Sequence, residues 1–516
     1  MAAAALVAVV AFLLLVTLPP EPVHVPSGAA DPGIVQRTVA GAYHIHTTRS
    51  DGAEDKAAVA AAASRAGLQF AIFTDHGDAT RTPDRPEYLH GVLCIDGVEI
   101  SSNGGHYVAL GLPAAPYPLG GDAAAVVEDV ARLGGFGIAA HPHHPKSELA
   151  WDDWSAPIDG IEWINTDVEW RNESAWRLAR VLFDYLVRPA PSLASVFDRP
   201  DATLQQWESL LRSRAVVTLA AADAHGGART SSLEEGGSRL AFGPSYEASF
   251  RVLSNHVVLD APLSGDAQDD AGRLIEGIRR GRVYTVINAI ADGIHLVPRG
   301  EGELRLPEPL PEGVSVREIG VAPRQAVEAG HTNAPGDPPV PWVVANPIVP
   351  LAERVPALPS TPPLGAPLTL KSPWRIEKDA DSSGEVAEVP GGFRLIYRLR
   401  EGERVSQFVA AAADLSVSPF TALVFSARAE RPMRVSVQLR FPGEEERWVK
   451  SIYLDEQPRD LIVRVDQLAP ADRTDSRLPD LSRAGSLLFV VDLTNATPGS
   501  SGGFTITGLR TVGQSP

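Results

Sequence analysis

The chain has 516 residues, too many for one domain of ordinary size, so its length predicts two or three domains. Its composition, 44% hydrophobic and 21% charged, is typical of a folded protein and excludes a largely disordered one. The 46 Lys and Arg face 64 Asp and Glu, a formal net charge of −18, so we expect no stable binding of nucleic acid.

The first apolar segment covers residues 2–18, at the short edge of the ~17–25 residues that span a bilayer as a helix. No Lys or Arg precedes it, so the positive flank usual in export signals is missing. Small residues at 27–30 offer a cleavage site. We expect residues 1–30 to be a signal peptide or a retained membrane anchor. The remainder would then be exported: periplasmic, extracellular, or tethered to the membrane and facing outward.

Residues 42–52 have the pattern of an alternating strand that ends in a turn. Side chains two apart on a strand share a face, so His44 and His46 present two imidazoles side by side. Asp51 follows in the turn, from which its carboxylate can fold back toward the same metal ion. Two histidines on a half-exposed strand are an equally good explanation of this motif taken alone.

Metal-ligand residue types recur at or near the ends of later apolar runs. They are His76 after residues 70–75, Glu99 within 92–100, His106 at the start of 105–112, His141 after 136–140, and Asp223 and His225 after 216–222. Such runs, separated by Ala-rich helical stretches at 52–67 and 122–133, indicate buried parallel strands of an α/β barrel. Catalytic groups of these barrels gather at the carboxyl ends of the strands.

Several neighbouring side chains have both a functional and a structural interpretation. Asp75 either orients a ligand or neighbouring backbone, or is a simple turn residue. His143 either contacts a substrate oxygen or protonates a leaving group, or else is solvated, whereas His144 is interpreted as a loop residue. Asn165, at the end of the run 160–165, either binds a ligand or substrate or satisfies local backbone groups.

Two further segments bear on the site. Five of the nine tryptophans lie between residues 151 and 176, where they form a wall over the site or, as we favour for most, pack an added helix. Residues 226–245 have the composition of a substrate loop, with Arg229 and Arg239 as anion contacts or surface charges. The sole cysteine, Cys94, excludes an internal disulfide and is predicted to be an inert filler in a buried strand.

The motifs HxH, SDG, TDH, GVEIS, GHYVALGL, AHP and DAH follow one another in this order within residues 38–290. This series resembles the PHP (polymerase and histidinol phosphatase) metallohydrolases. The resemblance implies a distorted (β/α)7 barrel for this part of the chain. The export segment and the HPH form of the fourth motif also resemble the branch that contains the carbaryl-type hydrolases.

The resemblance implies a metal centre with nine ligands in three groups. His44, His46, Glu99 and Asp223 hold the first ion; Asp51, His76 and His225 the second; Glu99, His106 and His141 the third, with Glu99 bridging. Some family members have a histidine at the position of Asp51, which puts the identity of the second ion in question. We expect two or three divalent ions, and residue type does not choose among zinc, manganese and iron.

The pattern changes after residue 290. Residues 291–350 predict a small β module, and residues 351–372 a stiff Pro-rich linker. Short strands separated by turn signals over 373–513 predict an all-β sandwich. This region resembles the galactose-binding-like jelly rolls of carbohydrate-binding modules. No row of aromatic platform residues is evident, so a structural appendage and a glycan-binding domain both stay open.

The implied metal centre predicts hydrolysis. Closely spaced divalent ions lower the pKa of a bridging water to ~7 and clamp the oxygens of a phosphoryl group. We expect a metal-dependent phosphoesterase that hydrolyses a small phosphomonoester or phosphodiester with hydroxide as the nucleophile. One alternative is a carbamate or carboxyl-ester hydrolase on the same metal site. Another is a non-catalytic cell-surface protein that binds glycans.

Overall fold

The computed structural model describes residues 12, 16–25, 32–227, 243–299, 303–321, 324–348, 365–416, 420–442, 446–471 and 478–513. Most of the apolar segment 2–18, Arg229, Arg239 and much of the linker 351–372 therefore lie outside the described residues. No helix among the described residues is long and apolar enough to cross a membrane.

The chain divides into two compact units. Unit 1 comprises Met1–Gly77, Thr82–Pro113 and Val130–Val355, and unit 2 comprises Asp78–Arg81, Ala114–Asp129 and Pro356–Pro516. The multi-domain organisation expected from chain length is therefore confirmed.

Unit 1 is rich in strands. They are β1 (Val23–His24), β2 (Thr38–Ala42), β3 (Phe70–Phe73), β4 (Glu87–Leu89), β5 (Val92–Ser102), β6 (Gly105–Leu110), β7 (Phe136–Ala139), β8 (Gly160–Asn165), β9 (Val217–Ala221), β10 (Ser254–Val258), β11 (Val283–Val286), β12 (Ala291–Asp292), β13 (Val297–Arg299), β14 (Glu303–Arg305), β15 (Val314–Val321), β16 (Arg324–His331) and β17 (Val343–Ala345). Most of them form one sheet in the order β15-β16-β17-β11-β10-β2-β3-β5-β6-β7-β8-β9, with β4 paired to β5.

Strand direction changes along this sheet. Strands β2, β3 and β5 are parallel, as are β7, β8 and β9. Strand β6 runs antiparallel to both β5 and β7, so the expectation of parallel strands is wrong there. Only Asn103 and Gly104 separate β5 from β6, and a connection this short joins strands as a hairpin.

The first and last of these parallel strands approach each other beyond their ends. The backbone N–H of Ala222 donates to the carbonyl of Tyr43 at 2.9 Å, and the N–H of His46 donates to the carbonyl of Ala224 at 3.1 Å. These bonds bring the segments that follow β2 and β9 side by side. The motifs around His44 and Asp223 therefore share one end of the sheet.

Helices fill many of the connections. They are α1 (Pro32–Arg37), α2 (Lys56–Arg65), α3 (Ala123–Arg132), α4 (Thr166–Arg171), α5 (Ala175–Tyr185), α6 (Pro189–Ala194), α7 (Asp201–Ser213), α8 (Tyr246–Phe250) and α9 (Ala267–Arg279). The helices expected within 52–67 and 122–133 are present as α2 and α3. Asp55 caps α2 by accepting from the Ala58 N–H at 2.8 Å, and Gly67 follows with φ of +81°.

Buried strands of unit 1 pack on both faces. In β3, Phe70 and Ile72 belong to one apolar cluster, whereas Ala71 and Phe73 belong to another that includes residues of α2. A strand covered on both faces needs apolar side chains at every position. This is why the sequence shows continuous apolar runs there and no alternation.

Unit 2 is a sandwich of two antiparallel sheets, which confirms the all-β prediction. Its strands are β18 (Ala366–Pro367), β19 (Arg375–Lys378), β20 (Ser383–Val389), β21 (Gly392–Arg398), β22 (Phe408–Asp414), β23 (Ala422–Ala429), β24 (Met433–Arg440), β25 (Arg447–Leu454), β26 (Arg459–Arg464), β27 (Ala469–Pro470), β28 (Ser486–Asp492) and β29 (Ser501–Val512). One sheet has the order β20-β21-β29-β23-β26 with β18 on β29, and the other β19-β22-β28-β24-β25-β27.

Within unit 2, residues of α3 pack against β24 through a buried arginine. The Arg434 guanidinium lies 2.7 Å from Asp129 Oδ1 and 2.7 Å from Glu128 Oε2. Burial alone would lower the pKa of Arg434, but these two carboxylates raise it further above its usual range. A buried cation held by two acids is costly to leave unpaired, so this contact fixes the position of the α3 segment in unit 2.

Candidate metal centre

The nine ligands expected from the sequence come together in unit 1. The structure contains four groups whose potential ligand atoms all lie within 4.8 Å of one another: His46, Asp51, His76 and His225; His44, Glu99 and His141; His44, His46 and Asp223; and His76, Glu99 and His106. Together these groups contain every expected ligand. They differ from the expected grouping in that His106 and His141 join Glu99 in two separate groups.

Three of the nine residues have a left-handed backbone. The φ angles are +63° at His44, +27° at His141 and +42° at Asp223. Strand β2 ends at Ala42, so the expectation that 42–46 continue as a regular strand is wrong. Side chains other than glycine adopt this conformation at a cost of about 1–3 kcal/mol each, and such residues cluster at functional sites.

One oxygen of Glu99 faces three imidazoles. Glu99 Oε2 lies 3.2 Å from His44 Nε2, 3.3 Å from His46 Nε2 and 3.2 Å from His76 Nδ1. Both Glu99 Oε2 and His44 Nε2 are buried without a hydrogen-bond partner among the described residues. Two ligand atoms on a tetrahedral ion with bonds of ~2.1 Å stand about 3.4 Å apart. The donor set and its spacing therefore fit a divalent ion.

The other oxygen of Glu99 makes closer contacts. Glu99 Oε1 lies 2.7 Å from His106 Nδ1 and 2.9 Å from His141 Nε2. These are the distances of charge-assisted hydrogen bonds. The spacing that suits an ion is thus clearest around Glu99 Oε2, and an ion between Glu99, His106 and His141 would have to replace two hydrogen bonds.

The two aspartates contact the histidines of the centre. Asp223 Oδ1 lies 3.3 Å from His46 Nε2 and 3.6 Å from His44 Nε2. Asp51 Oδ2 lies 3.3 Å from His225 Nε2. The His225 Nδ1–H donates to the Asp223 carbonyl at 2.9 Å, and Nε2 is the ring nitrogen that faces Asp51. Asp51 therefore groups with His76 and His225, and also with His46.

Glu162 is a functional residue that the sequence analysis missed. Its carboxylate accepts from His44 Nδ1 at 2.6 Å, from the His141 backbone N–H at 2.7 Å and from Asn165 Nδ2 at 3.0 Å. A histidine ligand usually donates its second N–H to such an acceptor, which fixes the tautomer and orientation of the ring. The signal was present, because Glu162 is a lone charge inside the apolar run 160–165.

Asn165 positions Asp223 and begins a helix. Its Nδ2 donates to Asp223 Oδ2 at 3.1 Å, while its Oδ1 accepts from the backbone N–H groups of Asp167 at 3.0 Å and Val168 at 3.2 Å. Asn165 is thus both the N-cap of α4 and a hydrogen-bond donor to the candidate ligand Asp223. The side-chain amide is engaged within the protein at each of these atoms.

Asp75 shapes the loop that carries Asp51. Its carboxylate accepts from the Thr47 backbone N–H at 2.7 Å and from Ser50 Oγ at 2.6 Å. A Cβ on Gly52 would lie 2.3 Å from the His46 carbonyl oxygen, so only glycine fits this turn. Asp75 therefore orients neighbouring backbone, one of the two roles considered for it.

The two extra histidines after His141 lie differently. His143 is exposed, whereas His144 is half-buried with its ring 5.4 Å from that of His141. Burial, followed by the charge of His141, lowers the pKa of His144 to about 4. His143 lies outside the four ligand groups of the described residues.

A small cavity of about 40 Å³ borders Asp223 and His225. Trp170, Leu193 and Val196 form its apolar side. Of the clustered tryptophans, Trp151 and Trp163 are buried in the fold and Trp176 is 84% exposed. The Trp151 ring lies 5.2 Å from that of Tyr107 and Trp163 Nε1 donates to Thr285 Oγ1, so both contact strand residues, and Trp170 lines this cavity.

The electrostatics of the centre favour ionised carboxylates. Burial would raise the pKa values of Glu99 and Asp223, but the surrounding histidines hold both well below their usual range. Burial would lower the pKa of His46, but Asp223 and Glu99 raise it to about 10. Burial lowers the pKa of His76 to about 4. Metal binding needs ionised carboxylates and neutral imidazoles, so an ion would displace the His46 proton.

Comparison with known proteins gives no family for the chain. No protein-family model matches it, and no curated protein matches it. Solved structures that resemble its C-terminal region include a family 11 carbohydrate-binding module from Clostridium thermocellum in complex with a β-1,3-1,4-mixed-linked tetrasaccharide. This module is 16% identical to the present chain. The match covers 27% of the present chain and 88% of the module, with a TM-score of 0.22. A point mutant of a family 29 carbohydrate-binding module is 14% identical to the present chain. The match covers 28% of the present chain and 90% of that module, with a TM-score of 0.19.

Proposed function

We propose that this chain is an exported, metal-dependent hydrolase of the PHP type, with unit 1 as its distorted (β/α)7 barrel. The centre would hold two or three divalent ions, of zinc, manganese or iron. The observation that carries the proposal is the environment of Glu99, whose carboxylate meets five imidazoles and has an oxygen that is buried and unpartnered among the described residues. We propose a small phosphomonoester or phosphodiester as the substrate.

Two of the described arginines, Arg49 and Arg171, are already engaged with carboxylates. Arg49 lies 2.9 Å from Asp96, and Arg171 pairs with Asp167 on α4. The centre itself contributes carboxylates, so the positive charge that a phosphate needs would come chiefly from the ions. When bound, divalent ions lower the pKa of a water to ~7 and polarise a phosphoryl oxygen.

The main role we propose for the residues around the ligands is to orient the ligand side chains, and proton transfer is secondary. Glu162 holds His44 in the tautomer that directs Nε2 inward, and Asn165 holds Asp223 Oδ2 so that Oδ1 faces His46. The exposed side chain of His143 is the candidate proton donor to a leaving group. We place the non-reacting part of a small substrate in the cavity beside Asp223.

The lining of that cavity favours a second substrate class. Trp170, Leu193 and Val196 are apolar, and the described residues around the cavity include no Lys or Arg. A carbamate or carboxyl ester needs no cationic side chain there, because ions polarise a carbonyl oxygen as they do a phosphoryl oxygen. A carbamate or carboxyl-ester hydrolase on the same ligands is therefore the alternative to a phosphoesterase.

The test is the elemental metal content of the purified chain after loading with zinc, manganese or iron. Wild type is expected to hold two or three ions, and the double variant His44→Ala, His46→Ala fewer. His24→Ala, at an exposed histidine, should hold as many ions as wild type. Absence of bound metal in loaded wild type would overturn the proposal. A panel of phosphomonoesters, phosphodiesters, carbamates and carboxyl esters on the loaded enzyme then separates the two substrate classes.

A further inference from the structure

Helix α5 and the turn after it expose a row of apolar side chains on unit 1. Trp176, Ala179, Leu182 and Leu186 recur every three or four positions, as residues on one helix face do, and Val187 follows directly. The exposed fractions are 84% at Trp176, 37% at Leu182, 82% at Leu186 and 52% at Val187. Single exposed apolar residues are ordinary, but a row of them on one face marks a binding surface. We call these five residues the α5 patch.

The first apolar segment of the chain ends beside this helix. Thr17 Oγ1 donates to Asp184 Oδ1 at 2.7 Å, and Arg180 donates to the Thr17 carbonyl at 3.0 Å. Arg188 donates to the Pro19 carbonyl at 2.6 Å. These bonds hold the end of the apolar segment against α5. A membrane that receives the apolar segment therefore lies next to the α5 patch.

The exposed charge of α5 is positive, although the chain as a whole carries −18. The side chain of Arg180 is 56% exposed, whereas that of Asp184, which it contacts, is 4% exposed. Exposed acids lie beside the neighbouring arginines, with Asp198 4.0 Å from Arg177 and Glu21 2.9 Å from Arg188. Arg180 pairs with no exposed acid among the described residues. An arginine beside apolar side chains suits an anionic headgroup, because its alkyl stem stays in the apolar layer while the guanidinium reaches the phosphate.

The length of α5 determines how it can meet a membrane. Its 11 residues are about half of the ~20 that a helix needs to span the hydrocarbon layer. A helix with apolar residues on one face and cations beside them lies in the plane of the membrane interface instead. Tryptophan is enriched at that depth, because its ring is apolar and its N–H stays hydrated. The composition and the length of α5 both favour a helix that lies on a bilayer.

We propose that the α5 patch docks on the surface of a bilayer that contains anionic lipids. Leu186 and Val187 enter the boundary between headgroups and acyl chains, Trp176 lies at the level of the headgroups, and Arg180 binds a lipid phosphate. A retained apolar segment would bring α5 to the membrane, and α5 would orient unit 1 there. None of these residues belongs to the four candidate ligand groups. The proposal therefore stands whether or not the chain is a hydrolase.

The experiment measures the depth of a nitroxide label attached at Leu186→Cys in the full-length chain. Cys94 is fully buried, so the label reacts with the introduced thiol. The control label is attached at Val316→Cys, an exposed apolar residue of β15. The probe is a vesicle of phosphatidylcholine and phosphatidylglycerol. On vesicles, we expect collisions of the Leu186→Cys label with oxygen to rise and collisions with a water-soluble nickel complex to fall at least threefold. The Val316→Cys label should show neither change.

A charge variant tests the contact with anionic headgroups. Arg180→Gln, combined with Leu186→Cys, should raise the lipid concentration that gives half-maximal shielding of the label at least threefold. Arg398→Gln, at an exposed arginine of unit 2, is the matched control and should leave this concentration unchanged. Circular dichroism of each variant shows that the fold is retained.

Three results would overturn the proposal. The first is a Leu186→Cys label that stays accessible to the nickel complex, even on chains that sediment with the vesicles, because the apolar segment alone would then hold the chain. The second is shielding that grows with protein concentration in the absence of lipid, because a second copy of the chain would then cover the patch. The third is unchanged shielding in the folded Arg180→Gln variant or equal shielding at Val316→Cys.

Discussion

The candidate metal centre of unit 1 and strand β21 of the sandwich in unit 2 differ in how closely they follow local conformational preferences. In the metal centre, His44, His141 and Asp223 have left-handed backbones, and carboxylates lie buried. In the sandwich, β21 alternates buried and outward side chains along its length. Unfavourable backbone conformations and buried charges occur where candidate ligand atoms come together. Regular alternation of buried and exposed side chains is typical of a strand that contributes stability.

Adjacent residues of β21 offer the test with the largest expected effect. Leu395 is fully buried and Ile396 is 44% exposed. Leu395→Ala should lower the free energy of unfolding by about 2–5 kcal/mol, and Ile396→Ala by about 0.5 kcal/mol, as measured by urea denaturation. Metal content should be unchanged in both variants. Equal losses from the two substitutions would contradict the alternation.

A buried acid outside the metal ligands gives unit 1 a pH dependence of its own. Glu169 accepts from the Asp198 N–H at 2.9 Å, and burial, with the charges of Asp198 and Glu173, raises its pKa to about 7. Because this folded-state pKa exceeds the usual 4.5, the carboxyl is protonated in the folded chain and ionised in the unfolded chain between these values. Stability therefore falls as pH rises from about 4.5 to 7.

Glu169→Gln keeps an acceptor for Asp198 and removes the ionisation. Its advantage over wild type should therefore grow through this pH window to at most about 3 kcal/mol above pH 7. Thermal unfolding of both chains at pH 4.5, 6 and 8 measures the difference. An advantage that is constant with pH, or largest at pH 4.5, would contradict the assignment.

Removal of metal should affect one unit more than the other. Ligand at 100 times its Kd stabilises the state that binds it by about 2.7 kcal/mol, so a chelator should lower the unfolding temperature of unit 1. The double variant His44→Ala, His46→Ala is the control, because it has little metal to lose. A chelator effect of equal size in this variant would show that the stabilising ion lies elsewhere.

Glu162 tests whether positioning matters as much as ligation. Glu162→Gln removes the charge opposite His44 Nδ1 and is expected to weaken metal affinity about 10–100-fold, equivalent to about 1.4–2.7 kcal/mol. Competition with a fluorescent chelator measures the change. Glu169→Gln, a matched change at another buried carboxyl of unit 1, should retain wild-type affinity. Equal affinities in wild type and Glu162→Gln would rule out a positioning role.

The sequence predicted the sandwich and the convergence of ligands for different reasons. Alternation and turn residues are local signals, and they identified strands such as β21, β24 and β28. Strand β22 carries a weaker local signal, because its core Ala410–Ala413 lacks the bulky branched residues that mark strands. The nine ligands came from the order of short motifs, a signal that depends on resemblance and not on local physics.

Features that depend on contacts between distant parts of the chain could not be predicted from local sequence patterns. The His44 carbonyl accepts from the Ala224 N–H in the segment after β9. The role of Glu162 depends on the His44 side chain and the His141 backbone N–H, which follow two other strands. Arg434 gave no sign in sequence that it would bind Asp129, about 300 positions earlier in the chain. These features follow from tertiary contacts, which override residue preference.

The discontinuity of unit 2 has a consequence for the order of protein synthesis. Ala114–Asp129 leaves the ribosome well before Pro356–Pro516 has been made, an interval on the order of ten seconds or more at ~5–20 residues per second. During that time Asp129 has no Arg434 to bind. Unit 2 therefore cannot fold completely in the order in which its residues are synthesised. A nascent chain paused before residue 434 should therefore be sensitive to proteolysis around Asp129 until translation resumes.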